Sequence, residues 1–262
     1  MSIDIERWAQ YLDDAVQRRS EVEAITKHQD LGLEHAYAIQ EAGLELRVGR
    51  GERIVGAKLG LTSKAKQKQM NVDEPCYGWL TDAMQLPLEA PAQLDQLIHA
   101  RSEPELVFRM KADLAGPGVT AHDVLDATAA VCGGLEVIDS RYEAFKFTLA
   151  DVVADNTSAA RFVLGNRRIG PDDQDLALLG CLFEVDGEIA ATATGAALLG
   201  HPAEAVAQLA NHLGRRGRKI EAGWTILAGG LCSAVHLHPG THVIATYAHL
   251  GSVGLRAEGE RR

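Results

Sequence analysis

The sequence predicts an α+β fold, and three features of its patterning carry that expectation. Apolar residues recur at helical spacing near the N-terminus and again after Pro202. Runs between and after these segments alternate at the two-residue period of strands. Helices and strands do not alternate strictly, as a parallel βαβ fold would require. Residues 4–18 place Ile5, Trp8, Leu12 and Val16 on one helical stripe with charges between them. A second helix is expected from Leu33 to Val48, with Leu33, Tyr37, Leu44 and Val48 on one side. The pattern changes at Gly51. Ile54–Leu61 (IVGAKLGL) is apolar and punctuated by glycine, which predicts a buried strand running into a loop. A boundary near residue 50 therefore separates a helical N-terminal region, 1–50, from the rest of the chain, 51–262.

Further along, Glu103–Met110 alternates charged and apolar residues, the pattern of a half-buried strand. Thr120 and Asp123 have the spacing of a helix cap ahead of DVLDATAAV, and Gly134–Ile138 predicts a short strand. Val185-Asp186-Gly187-Glu188 is the turn of a hairpin. Pro202 opens a helix whose buried face is Val206, Leu209, Ala210 and Leu213. The last fifty residues return to strands, with Pro239-Gly240 as a turn.

Composition bounds the function. The 262 residues are 46% hydrophobic and 24% charged, ordinary for a globular chain that buries a sizeable core. A formal charge of −10 disfavours a surface built for nucleic acid or acidic membranes. Cys76, Cys132, Cys181 and Cys232 are widely spaced with no CxxC pair, so zinc ribbons and dithiol redox motifs are not expected. The N-terminal stretch is charged from its fourth residue, unlike a secretory signal, and no apolar run reaches membrane-spanning length. These features predict a cytoplasmic protein without membrane or nucleic-acid partners.

Chemistry is expected at two places. Glu103 and Glu105 are two residues apart on a strand and so project from one face, where a hard divalent cation would hold them together. Glu136, in the apolar context Gly-Leu-Glu-Val-Ile, needs a partner, a proton or a metal. A solvated strand face and a basic partner for Glu136 are the alternatives. Lys58, flanked by Gly56 and Gly60, must meet an anion, shed its charge or snorkel to the surface. GAKLG lacks the spacing of a phosphate loop. His236, His238 and His242 invite a zinc reading, but no acidic or cysteine ligand accompanies them locally. Arg215–Lys219 suits a solvated helix end better than a nucleic-acid patch.

Several longer motifs then fall in a fixed order: Gly56-Ala57-Lys58-Leu59-Gly60-Leu61-Thr62-Ser63, the Glu103/Glu105 pair, Glu136-Val-Ile-Asp-Ser-Arg-Tyr142 and Val153-Ala-Asp-Asn-Thr-Ser158. Leu199-Gly-His-Pro202 and Leu250-Gly-Ser-Val253 follow. From about residue 30 onward the chain resembles the hydratase/decarboxylase family of the catechol meta-cleavage pathway, within the fumarylacetoacetate hydrolase superfamily. The resemblance implies a fumarylacetoacetate-hydrolase-like mixed β fold with a helical N-terminal region, and makes 51–262 a metal-binding catalytic domain. It implies Mg²⁺, with Mn²⁺ as the alternative, held by Glu103, Glu105 and Glu136. Lys58 becomes the catalytic residue, with Thr62 and Ser158 as substrate contacts.

Two activities share this scaffold, 2-hydroxypenta-2,4-dienoate hydration and 4-oxalocrotonate decarboxylation. Glu136–Phe147 (EVIDSRYEAFKF) resembles the decarboxylase version. In the motif Val72-Asp-Glu-Pro-Cys76-Tyr-Gly, hydratases tend to carry an acid where Cys76 stands. A hydratase gains from that extra acid/base and a decarboxylase from a drier wall, so Cys76 favours decarboxylation. The segment His99-Ala-Arg-Ser-Glu103 departs from relatives, which often have His-Pro and an aliphatic residue before the first Glu. Hydration of the dienoate is the alternative activity. A non-catalytic partner subunit would be expected to have a broken carboxylate set, and here all three acids are present. A dicarboxylate substrate and a complex with 2-hydroxypenta-2,4-dienoate hydratase are further implications, because the decarboxylation product is an unstable enol.

Overall fold

The computed structural model describes residues 3–260 apart from 65, 66, 69–71 and 73, so Asp73 of the Cys76 motif and the first two residues lie outside it. Two helices lead. Helix α1 (Ile5–Arg18) is capped by Asp4, whose side chain accepts from Arg7 N, and buries Trp8, Ala9 and Leu12. Helix α2 (Leu33–Gly49) buries Ala36, Tyr37, Ile39, Gln40 and Leu44. The expected face of α2 is corrected at both ends, since Leu33 and Val48 are exposed. Ala36, Ile39 and the polar Gln40 are buried instead, beside the expected Tyr37 and Leu44. Gln40 Nε2 donates to the carbonyls of Tyr77 at 2.9 Å and Val153 at 2.8 Å, satisfying a buried amide.

Twelve strands among the described residues form two sheets. They are β1 (Ile54–Gly60), β2 (Cys76–Thr81), β3 (Ala92–Gln93), β4 (Arg101–Met110), β5 (Thr128–Ile138) and β6 (Ala159–Ile169). Then come β7 (Gly180–Val185), β8 (Glu188–Thr194), β9 (Thr225–Gly230), β10 (Val235–His236), β11 (His242–Tyr247) and β12 (Gly251–Glu258). The first sheet runs β2-β1-β9-β4-β5-β6, with β10 also paired to β4, and the second runs β3-β12-β11-β7-β8. All pairs in the first sheet are antiparallel except β1 with β9, and the second has one short parallel pair, β3 with β12. The sheets meet where β5 lacks side chains. A Cβ on Gly133 would lie 2.3 Å from the Tyr247 ring, and Tyr247 Oη donates to Gly134 O at 2.6 Å.

Short helices α3 (Ala121–Ala127) and α4 (Leu149–Ala154) each start in a capping box, Thr120/Asp123 and Thr148/Asp151. Helix α3 stops at Ala127, where the expected helix DVLDATAAV passes into β5, because β-branched Thr128 and Val131 extend the strand backward. Helix α5 (Pro202–Arg215) buries Val206, Leu209, Ala210 and Leu213 as expected. Strand β4 is corrected from half-buried to almost wholly buried, because the strand is central and covered on both faces. No helix among the described residues is long and apolar enough to cross a membrane. The basic run after α5 is tied to acids, Arg215 to Glu74, Arg216 to Glu34, Arg218 to Glu41 and Lys219 to Asp113.

His212 on α5 packs between Tyr37, at 5.0 Å between ring centres, and Tyr77, at 5.1 Å. Burial, reinforced by Arg216 and Arg215, pushes its pKa down to about 4. Unfolded, the ring takes a proton near pH ~6.5. Its neutral packing therefore contributes stability that is present above that pH and is lost as pH falls toward the folded value. Urea unfolding is expected to show stability declining between about pH 6.5 and 4, with a shallower decline in His212→Phe. An NMR titration showing His212 protonated at pH 6 would contradict this.

Candidate metal and acid/base centre

Strand pairing assembles the site. Glu103 on β4 stands opposite Glu136 on β5, and Glu105 opposite Gly134, so the three acids converge over a patch without intervening side chains. One carboxylate oxygen from each lies within 4.8 Å of the others, and all three residues are buried. Lys58 reaches them from β1, with Nζ 3.0 Å from Glu136 Oε2 and 3.2 Å from the carbonyl oxygen of Thr157. The ammonium and that carboxylate are almost wholly removed from solvent, with side-chain exposures of 3% and 1%.

Strand β9 shapes the floor. Its register against β4 slips between Glu105 and Val107, a bulge of the kind that re-aims side chains beside active sites. Gly229 N donates to Glu105 Oε2 at 2.7 Å. Gly229 has φ of +112, and a Cβ there would lie 2.1 Å from Thr62 Oγ1. A Cβ on Gly230 would lie 2.1 Å from Glu103 Oε2. These two positions therefore take glycine so that an acid and a threonine can close over the backbone. Opposite them, Asn156, Thr157 and Ser158 all have left-handed backbones, with φ of 49, 50 and 56. Asn156 pays for this strain by pairing with Trp79 N at 2.7 Å and Trp79 O at 3.0 Å, and Thr157 Oγ1 donates to Tyr77 O at 2.7 Å. The strained turn aims the Thr157 carbonyl at Lys58.

The electrostatics are lopsided. Burial, then the charges of Glu136 and Glu103, pushes the Glu105 carboxyl well above the usual carboxylate range. Burial likewise raises Glu136, against the pull of Lys58. For Lys58 burial acts to lower the pKa, but attraction from Glu136, Glu103 and Glu105 outweighs it and the ammonium is held more firmly than in water. Three carboxylates against one ammonium leave a formal charge of −2, which one divalent cation neutralises. Glu105 Oε1 and Glu136 Oε1 are buried with no donor from the protein. Hard oxygens, an unpaired lone-pair set and matching charge fit Mg²⁺ or Mn²⁺. Among the described residues this is the one cluster of three or more His, Cys, Asp or Glu side chains with such geometry.

The other expected residues border this centre. Thr62 is buried against Gly229, and Ser158 is buried with its Oγ lacking a hydrogen-bond partner. Cys76 faces Gly60, where a Cβ would come within 3.0 Å of its Sγ. Burial raises the thiol pKa, although Lys58 pulls the other way. His236 and His238 stack on one another, 6.2 Å between centres, and among the described residues they belong to no such cluster. Reading the sequence alone misses the Gly229-Gly230 floor and the Asn156–Ser158 turn. The glycine pair at the end of an apolar strand was the available signal for the first.

No family profile matches the chain. It is 41% identical over 249 residues to a 4-oxalocrotonate decarboxylase from Pseudomonas putida, covering 95% of this chain and 94% of the relative. It is 42% identical over 234 residues to a 2-hydroxyhexa-2,4-dienoate hydratase from Comamonas testosteroni, covering 88% and 89%. The solved structure of 4-oxalocrotonate decarboxylase from Pseudomonas putida G7, complexed with magnesium and adipate, has a TM-score of 0.94 at 40% identity and covers 97% of both chains. The chain belongs to the hydratase/decarboxylase family that these relatives represent.

Gly230→Ala is expected to displace Glu103 and weaken Mg²⁺ binding about ten- to a hundredfold, the usual range for disturbing a ligand's support. Calorimetric titration measures this beside a thermal melt of the metal-free protein. Wild-type affinity in the variant would show that Gly230 does not set the position of Glu103.

Proposed function

We propose that this chain catalyses Mg²⁺-dependent decarboxylation of 4-oxalocrotonate (2-oxohex-3-enedioate) to 2-hydroxypenta-2,4-dienoate and CO2, a carboxy-lyase step of catechol meta-cleavage degradation. One observation carries the choice within the family: the wall beside Lys58 is a buried thiol held neutral, Cys76, where hydration would need a further acid/base. Glu103, Glu105 and Glu136 would hold the ion. When bound, Mg²⁺ supplies Lewis-acid stabilisation of negative charge on the 2-oxo oxygen.

The chain's own groups do the rest. As the C5–C6 bond breaks and CO2 leaves, its electron pair moves through the alkene to the 2-oxo oxygen, which takes a proton to give the enol. Lys58, kept cationic by three acids, neutralises substrate charge beside that oxygen and holds a proton in reach. Thr62 and the unpaired Ser158 Oγ offer hydrogen bonds that fix the substrate. The buried setting of Lys58 and the acids excludes water that would quench the developing charge. Residues 51–262 serve as the catalytic domain in this reading, with residues 1–50 as its helical cover. A cytoplasmic setting and a physical complex with 2-hydroxypenta-2,4-dienoate hydratase belong to the same reading, since the enol product is short-lived.

The test is an assay of the purified protein on 4-oxalocrotonate and, separately, on 2-hydroxypenta-2,4-dienoate, each with Mg²⁺ and with EDTA. CO2 release from the first, abolished by EDTA, is expected, with no hydration of the second. Hydration without CO2 release would reverse the choice. Lys58→Ala is expected to lower kcat by about 10²–10⁴-fold, and near-normal turnover would remove Lys58 from the mechanism.

A further inference from the structure

Arg101 opens β4 two residues before Glu103, so its side chain leaves the strand on the face that carries Glu103 and Glu105. Its guanidinium carbon lies 3.8 Å from the centre of the Phe145 ring. Phe145 is itself placed by an unusual turn: Ala144 and Phe145 have φ of 53 and 58, a left-handed conformation that side chains of this kind seldom adopt. Phe147 backs the ring at 5.5 Å. The stack occupies one flat side of the guanidinium and leaves its N–H edge for an anion. Among the described residues nothing supplies that anion. Arg101 has no ion pair there, and its Nε is buried without a hydrogen-bond partner. Other arginines removed from solvent are satisfied, the buried Arg141 by Asp155 and the half-buried Arg109 by Thr225.

We propose that Arg101, braced by Phe145, receives the distal carboxylate of an extended dicarboxylate whose 2-oxo acid end lies at the Glu103/Glu105/Glu136 centre, and thereby selects dicarboxylates over monocarboxylic 2-oxo acids. The inference rests on the decarboxylase reading and names the specificity determinant of that same site. Its geometry is that of the strand: Arg101 and Glu103 leave the same face about 6.6 Å apart along β4, so one extended ligand lying along that face can meet both. A guanidinium meets a carboxylate through paired N–H bonds, so the contact fixes orientation as well as charge. It also touches the carboxylate that departs, so it is strongest in the ground state. Its loss raises KM more than it lowers kcat.

The test is calorimetric binding, with Mg²⁺ present, of 2-oxohexanedioate and of 2-oxohexanoate, which differ only at the distal end. Wild type is expected to prefer the dicarboxylate. Arg101→Gln is expected to lose about ten- to a hundredfold for the dicarboxylate, the size of a lost hydrogen-bonded charge contact, while binding of the monocarboxylate stays within about threefold. Arg101→Lys should recover part of the difference, keeping the charge without the paired geometry. Should Arg101→Gln melt too early to measure, Phe145→Leu carries the test, with a smaller loss confined to the dicarboxylate. Equal losses on both ligands, or no loss on either, would overturn the proposal, as would a wild type without preference. Because the ligand pair needs no turnover, an intact preference in a protein that fails to decarboxylate 4-oxalocrotonate would sink the decarboxylase reading alone.

Discussion

Three carboxylates confined with one ammonium in a space from which water has been removed repel one another, and much of the surrounding structure answers that repulsion. Burial and mutual charge raise Glu105 and Glu136, while the same acids hold Lys58 charged. A buried ion pair of this kind contributes little to stability by itself, because desolvation offsets the attraction. Its value lies in what remains unsatisfied: a formal charge of −2, and carboxylate oxygens of Glu105 and Glu136 with no protein donor in a cluster whose ligand atoms lie within 4.8 Å of one another. The fold thus stores an electrostatic demand that a hard divalent cation meets.

The scaffold holds that arrangement from every side. Antiparallel pairing of β4 with β5 sets Glu103 against Glu136, and the parallel pairing of β1 with β9 brings Lys58 beside the glycine floor. The turn at Asn156–Ser158 is strained, yet it is overdetermined by hydrogen bonds to Trp79 and Tyr77. Gln40 of α2 donates to Tyr77 O and Val153 O on either side of that turn, so the N-terminal helices are packed into the wall that aims Thr157 at Lys58.

The α+β class, the family and the convergence of the three acids were legible in the sequence for identifiable reasons. Strand parity puts Glu103 and Glu105 on one face, and a carboxylate amid Leu135, Val137 and Ile138 has no inexpensive solvated alternative. The pairing of Lys58 with Glu136 was not legible, because it depends on β9 lying between β1 and β4, a long-range register that local periodicity does not encode. Alternation misread β4 as half-buried for a related reason: its charged residues face a buried centre instead of solvent. On α2 Tyr37 and Leu44 are buried as expected, but the ends of the stripe were misplaced, because hydropathy alone ranks Leu33 and Val48 above the buried Ala36 and Gln40. The hydratase and decarboxylase relatives are similar to this chain to nearly the same degree, so overall likeness separates them poorly. The side chain at Cys76 bears on that choice because its buried thiol lies against Gly60 and feels the charge of Lys58.

The central claim is that the Glu103/Glu105/Glu136 cluster is a divalent-cation site whose charge is balanced by Lys58. Titrating the protein with Mn²⁺ and counting free ion by electron paramagnetic resonance tests it most directly. One ion per chain is expected, displaced by Mg²⁺ and lost in Glu136→Gln. Binding that is absent from the wild-type protein, or unchanged in Glu136→Gln, would contradict it.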